Sequence, residues 1–224
     1  MGHEKSSHPN RQKSVRTLKF STAIICLSLC LSSMIALAGE GERLLDKFIV
    51  ETKTMSANFS QSLRTSDGEL LQESTGQFYL QKPGRFRWNY MLPYAQEIVS
   101  DGENIWIYDV DLQQVTVQKQ SIALSNTPMA LIQDKISVDA AFDIKPLDEK
   151  NGVYRLLLAS KSETTDFKNI ILGVSENGLQ FMQLKDQFDQ DTDIVFSDTK
   201  VNGEIDSATF IFKAPEGTDI FGGN

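Results

Sequence analysis

The chain has 224 residues but only two cysteines and two histidines. All four (His3, His8, Cys26 and Cys30) fall within the first 30 positions. If that segment is absent from the working protein, no thiol or imidazole is left. Cysteine and Ser-His nucleophilic catalysis, zinc and copper sites built on His and Cys, haem ligation and disulfides are then excluded together. Internal repeats, low-complexity tracts and interdomain linkers are missing as well.

The first 38 residues have the composition of a segment that is removed. Met1 to Lys19 carries Lys5, Arg11, Lys13, Arg16 and Lys19 against Glu4 alone. Phe20 to Ala38 is an uncharged apolar run that ends in Ala36-Leu37-Ala38. A basic stretch, an apolar core and an A-x-A site mark a secretory signal peptide. Ser21, Thr22, Ser28, Ser32 and Ser33 make the run a poor membrane anchor. Cys26 follows Ile25 and Cys30 follows Leu29, so neither has the small preceding residue of a lipid-attachment site. The expectation is cleavage after Ala38, export, and a single domain over 39–224. The leader holds five of the 22 basic residues and one of the 30 acidic ones, so its loss takes the net charge from −8 to −12. An acidic chain without a basic stripe suits neither nucleic acid nor anionic lipid surfaces.

Beyond the leader, Glu42 to Lys53 has helical spacing, with Leu44, Leu45, Phe48 and Ile49 on one face. From Met55 the period becomes two, and turn signals recur at Asp67-Gly68, Pro83-Gly84, Asp101-Gly102, Asn151-Gly152 and Asn177-Gly178. Between them the pattern predicts about eleven short strands, the last at Ala208–Phe212. One interruption, around Thr127-Pro128, reads as a short apolar helix containing Met129, Leu131 and Ile132. Strands without helical crossovers imply one large antiparallel sheet that curls. The helices bury their apolar faces most economically on its concave side. The expected fold is mainly β: an unclosed antiparallel barrel with a lid of short helices over an apolar cavity.

Carboxylates are the remaining catalytic option. Asp189, Asp191 and Asp193 imitate the start of a calcium loop, but its sixth position is Ile194, not glycine, and its twelfth is Lys200, not glutamate. A solvated turn accounts for them. Asp101, Asp109 and Asp111 also sit at turns, where aspartate is common. Neither a metal nor a cofactor is expected, and no enzymatic activity.

The segment GQFYLQKPGRFRWNY, Gly76 to Tyr90, is more informative. Alternation puts Phe78, Leu80 and Lys82 on one face, and Phe86, Trp88 and Tyr90 on one face of the next strand. A lysine at the rim of an apolar face is costly unless paired or snorkelling. It can close a cavity by bonding the lid, or meet a polar head group.

This segment, continued by EIVSDGENIWIYDVDLQQVTV and TPMALI, resembles the LolA family, periplasmic carriers of outer-membrane lipoproteins in Gram-negative bacteria. The likeness runs from near Leu44 to FIFKAPEGTDI. It implies an unclosed barrel whose cavity takes acyl chains from an ATP-driven (ABC-type) inner-membrane release complex and passes the lipoprotein to an outer-membrane receptor. Positions matching the family's cavity lining are Ile49, Trp88, Tyr90 and Ile98, to which the apolar faces add Phe78, Leu80, Met129 and Ile132. Phe86 matches an aromatic associated with docking onto the release complex. Lys82 stands where the family usually has a cavity-closing arginine, which keeps the charge but loses the multi-donor fork. The chain ends soon after Phe221, so an additional C-terminal strand is expected to be absent. A monomer is expected. The competing expectations are a lipoprotein-sensing interaction module on the same fold and a small carbohydrate-active enzyme using paired aspartates.

Overall fold

Period-two alternation between tight turns dominates the chain, and it folds as that pattern requires. The structure is a computed structural model that describes residues 39–123, 135–161 and 167–223. The leader and its cleavage site therefore lie outside the described residues, as do Met129 and Ile132.

A helix over residues 39–51 (α1) opens the described chain, starting three residues before the spacing suggests. Six strands follow: β1 (Thr54–Arg64), β2 (Leu70–Gln81), β3 (Arg85–Leu92), β4 (Gln96–Asp101), β5 (Asn104–Asp109) and β6 (Gln114–Lys119). Two short helices, α2 (Gln120–Ala123) and α3 (Lys135–Ala141), precede β7 (Phe142–Lys150), β8 (Val153–Ser160), β9 (Phe167–Ser175), β10 (Gly178–Asp186) and β11 (Asp191–Val201). A 3-10 turn at Ser207–Phe210 and β12 (Asp219–Gly222) complete it.

All twelve strands belong to one sheet, ordered β12-β6-β5-β4-β3-β2-β1-β11-β10-β9-β8-β7. β1 pairs with β11 to join two meanders, while β7 and β12 remain free edges, so the barrel is unclosed. The turns supply the expected chemistry. Asn151 and Gly152, at φ 54 and 76, form the two-residue link that brings Lys150 opposite Val153. Edge strand β7 contains Pro146, at a position where a missing N–H is tolerated.

Two expectations are corrected at the C-terminus. Ala208–Phe212 is not a strand: Asp206 caps a 3-10 turn by accepting from the Ala208 N–H. Its alternating Phe210 and Phe212 serve the back of the sheet instead. Phe210 is buried, and Phe212 stacks on Trp106 at 5.6 Å and lies 5.8 Å from Tyr108. A C-terminal strand also forms where none was expected, since β12 runs parallel to β6, with Ile220 opposite Val115. It is the one parallel pairing among the described strands.

Arg87 fastens this C-terminal segment. Its guanidinium donates to Glu97 Oε2 at 2.5 Å, to Asn89 Oδ1 at 3.0 Å and to the Thr209 carbonyl at 3.1 Å. Arg87→Ala removes all three and leaves Glu97 half-buried without its cation. The expected loss is about 1–2 kcal/mol in urea unfolding. Lys168→Ala, which breaks only an exposed pair with Asp189, should change stability by less than about 0.5 kcal/mol.

Candidate functional site on the apolar sheet face

The strand register arranges the concave face in rows. Ala57, Phe78, Trp88, Ile98 and Ile107 stand side by side across β1 to β5. Nearer α1, the row is Met55, Leu80, Phe86, Ser100 and Ile105; on the other side it begins Phe59, Gly76, Tyr90. The wall across β8 to β11 is equally apolar, with Leu156, Leu158, Ile170, Leu172, Leu179, Met182, Ile194 and Phe196 all buried.

Aromatic contacts knit the middle of this face. Trp88 lies 4.9 Å from Phe78 and 5.0 Å from Phe59, and Phe59 meets Tyr90 edge-on at 5.1 Å. Gly76 makes this possible, because a Cβ there would fall 1.8 Å from the Asn89 carbonyl oxygen and 2.8 Å from the Phe59 ring. The Tyr90 hydroxyl donates to Gln61 Oε1 at 3.1 Å, and burial pushes its pKa up to about 12. It is therefore a neutral group at any ordinary pH.

Helix α1 lies on this face with Leu44, Leu45, Phe48 and Ile49 buried, as helical spacing required. Val138 of α3 joins the same cluster. The C-terminal carbonyls of a helix lack internal partners, and side chains from the barrel supply them here. Lys82 Nζ donates to the Ile49 carbonyl at 2.5 Å and sits 5.8 Å over the Phe48 ring. A cation at this end also meets the negative pole of the helix. Asn202 Nδ2 donates to the Glu51 carbonyl at 3.1 Å, and its Oδ1 accepts from the Lys53 N–H at 2.7 Å.

The turn that carries Lys82 is itself fixed. The Lys82 N–H donates to the Lys53 carbonyl, while Ser100 Oγ and Gln120 Nε2 both donate to the Gly84 carbonyl, at 2.9 and 2.7 Å. Ser100 and Gln120 are buried. Sequence reasoning missed Ser100, Gln120 and Asn202, because each bonds a turn or helix end remote in sequence.

On its flank, α1 is held by charge. Glu176, in the β9–β10 turn, accepts from Lys47 Nζ at 2.6 Å and Arg43 at 2.8 Å beside a cavity of about 320 Å³. The bonds from Lys47 and then Arg43 hold the Glu176 carboxyl below its ordinary value of 4.5. A lowered folded pKa stabilises above that ordinary value, and the contribution is lost as the pH falls through the folded one. The melting temperature should therefore fall more steeply as the pH drops below 4.5 in the wild type than in Glu176→Gln. Parallel slopes would show that the anchor contributes nothing.

Of the sequence-derived site residues, Ile49, Phe78, Leu80 and Trp88 belong to one buried cluster against which Tyr90 and Ile98 pack, and Lys82 bonds the Ile49 carbonyl. Phe86 is 2% exposed and belongs to the same interior. The aspartates have structural duties. Burial pushes the Asp101 carboxyl up, but bonds from the Asn104 and Glu103 N–H groups and Trp106 Nε1 more than offset it and bring it below the usual range. Asp109 accepts from the Leu112 N–H, Asp186 from those of Phe188 and Gln190, and Asp189 and Asp191 pair with Lys168 and Lys185. Among the described residues, no three His, Cys, Asp or Glu side chains converge as a metal site would need. No helix among them is long and apolar enough to cross a membrane.

An unclosed barrel with an apolar concave face and a helix lying on it is a class of fold in its own right. A solved structure of an uncharacterized conserved protein from Thermus thermophilus matches with a TM-score of 0.52 at 11% identity, over 81% of this chain and 98% of that one. The crystal structure of MucB matches at 0.50 with 12% identity, over 83% and 66%. Sequence goes further than fold. The profile described as outer membrane lipoprotein carrier protein LolA matches residues 50–213. The outer-membrane lipoprotein carrier protein of Methylococcus capsulatus is 38% identical over 79% of this chain and 85% of its own. That of Methylobacillus flagellatus is 34% identical over 93% and 100%. The chain belongs to the LolA family.

Proposed function

We propose that this chain is a periplasmic carrier that shelters the acyl chains of outer-membrane lipoproteins between its concave face and α1, by binding alone and without catalysis. The observation that carries the reading is the apolar row Phe78, Trp88 and Ile98 in the same interior as the buried face of α1, a helix whose end is held by Lys82. Residues 1–38 act as a signal peptide removed after Ala38, leaving one carrier domain at 39–224. Cargo arrives from an ABC-type release complex in the inner membrane and leaves to an outer-membrane receptor, with the carrier working as a monomer. Met129 and Ile132 complete the acyl-binding surface. Phe86 contributes to docking on the release complex; since it is buried, it becomes available only when the lid is displaced.

Magnitudes support a carrier that needs no fuel of its own. Exposing a dozen acyl methylenes to water costs roughly 10 kcal/mol, at ~0.8 kcal/mol each. Uncovering the four buried apolar residues of α1 costs about 6–12 kcal/mol at 1.5–3 kcal/mol apiece. When acyl chains replace α1 against the barrel, these two quantities nearly cancel. Loading and release then differ by a few hydrogen bonds, each worth a net ~1 kcal/mol. The test is titration of the purified protein with a fluorescent acyl probe. Saturable binding that a triacylated lipopeptide displaces is expected, and no displaceable binding would count against the reading.

A further inference from the structure

Trp88 Nε1 is the one buried side-chain nitrogen or oxygen without a hydrogen-bond partner among the described residues. Its ring is well used: Trp88 is 6% exposed and contacts Phe59, Phe78, Tyr90 and Phe196. None of those contacts needs an N–H. A purely apolar ring in this place would avoid leaving a donor unpaired in a dry interior, where such groups are rare and unfavourable. Polar groups farther along the face already have partners. Tyr90 donates to Gln61, and buried Ser74, which faces Gln61 across β1 and β2, accepts from Gln72. The concave face thus runs from apolar rows near α1, through Trp88, to polar side chains at Gln61 and Ser74. An acyl chain has the same profile: a long apolar tail, a carbonyl at its head, then polar groups. That carbonyl accepts a hydrogen bond and donates none.

We infer that the Trp88 indole N–H is a recognition donor for the carbonyl of an ester-linked acyl chain, left unpaired in the closed protein and satisfied when such a chain replaces α1. The inference rests on the carrier reading and adds a chemical preference to it: ester-linked lipids over ether-linked lipids of the same length.

The experiment uses the purified protein with ¹⁵N-labelled tryptophan, which has two indole signals, from Trp88 and Trp106; Trp106→Phe assigns them. The probes are an ester-linked diacylglycerol and the dialkyl ether of equal chain length. The ester is expected to bind about tenfold more tightly and to move the Trp88 N–H proton downfield, while the ether leaves that proton near its free position. Trp88→Phe should lose the preference, binding ester and ether with equal affinity whatever that affinity is. The wild-type comparison stands without any variant. Equal wild-type affinities with an unmoved indole signal overturn the inference and leave the carrier reading intact. Binding of neither lipid overturns both.

Discussion

Lys82→Leu is expected to slow transfer of bound lipoprotein to its acceptor by about tenfold while leaving loading near the wild-type level. The bond from Lys82 Nζ to the Ile49 carbonyl exists only while α1 lies on the barrel. On the proposed carrier reading it therefore favours the form without acyl chains. A charged donor on a partly buried carbonyl is worth about 1.5–3 kcal/mol, and one tenfold change in an equilibrium is about 1.4 kcal/mol. Folding should suffer little, because leucine at this rim position joins an apolar face and Asn202 still holds the Glu51 carbonyl. Transfer from purified, loaded carrier to acceptor, followed by gel shift, provides the readout. Transfer at the wild-type rate would remove Lys82 from the release step. Lys82→Arg should transfer at least as fast as the wild type, since the planar fork keeps the charge and adds donors.

Ile98→Glu is expected to weaken binding of an acyl probe by roughly a hundredfold. Ile98 stands between Trp88 and Ile107 in the central row and is only half-buried. In the free protein the new carboxylate reaches water, so the melting temperature should fall by only a few degrees. With acyl chains in place it loses that water without gaining a partner, which costs several kcal/mol or forces it to take up a proton. Val195→Glu provides the control, because Val195 of β11 is exposed and lies on the face opposite Ile194 and Phe196. That variant adds the same charge and should bind the probe as the wild type does. Equal losses in both variants would point to a general effect of charge and away from the concave face.

The sequence was readable wherever one residue's neighbours along the chain decide its place. Alternation alone put Phe78, Leu80 and Lys82 on one face and Phe86, Trp88 and Tyr90 on another, and helical spacing identified the four residues that α1 buries. Register was not readable. That Phe78, Trp88 and Ile98 form one row depends on pairings set by turns and by Gly76, whose need for a bare Cα arises from a ring and a carbonyl on other strands. The C-terminus misled for a related reason. Phe210 and Phe212 alternate like strand residues, yet the turn that holds Phe210 packs on β3 and β4 and Phe212 on the back of β5 and β6, without a ladder partner. Conversely, β12 is four residues long and pairs in parallel with a strand about a hundred positions earlier, so no local pattern announced it. Ser100, Gln120 and Asn202 escaped notice because single polar residues look alike until the carbonyl each one holds is known.

Lys82, singled out in the sequence by the resemblance, bonds the end of α1. Its bond to the Ile49 carbonyl does not hold the end of α1 alone, since Asn202 supplies a second donor to the same turn. Native mass spectrometry of the protein isolated from the periplasm tests the central claim most directly. The account predicts a species heavier by one triacylated lipoprotein, dissociating as a unit, beside a free carrier that begins at Gly39. A carrier that is always empty, including when lipoprotein export is active, would contradict it.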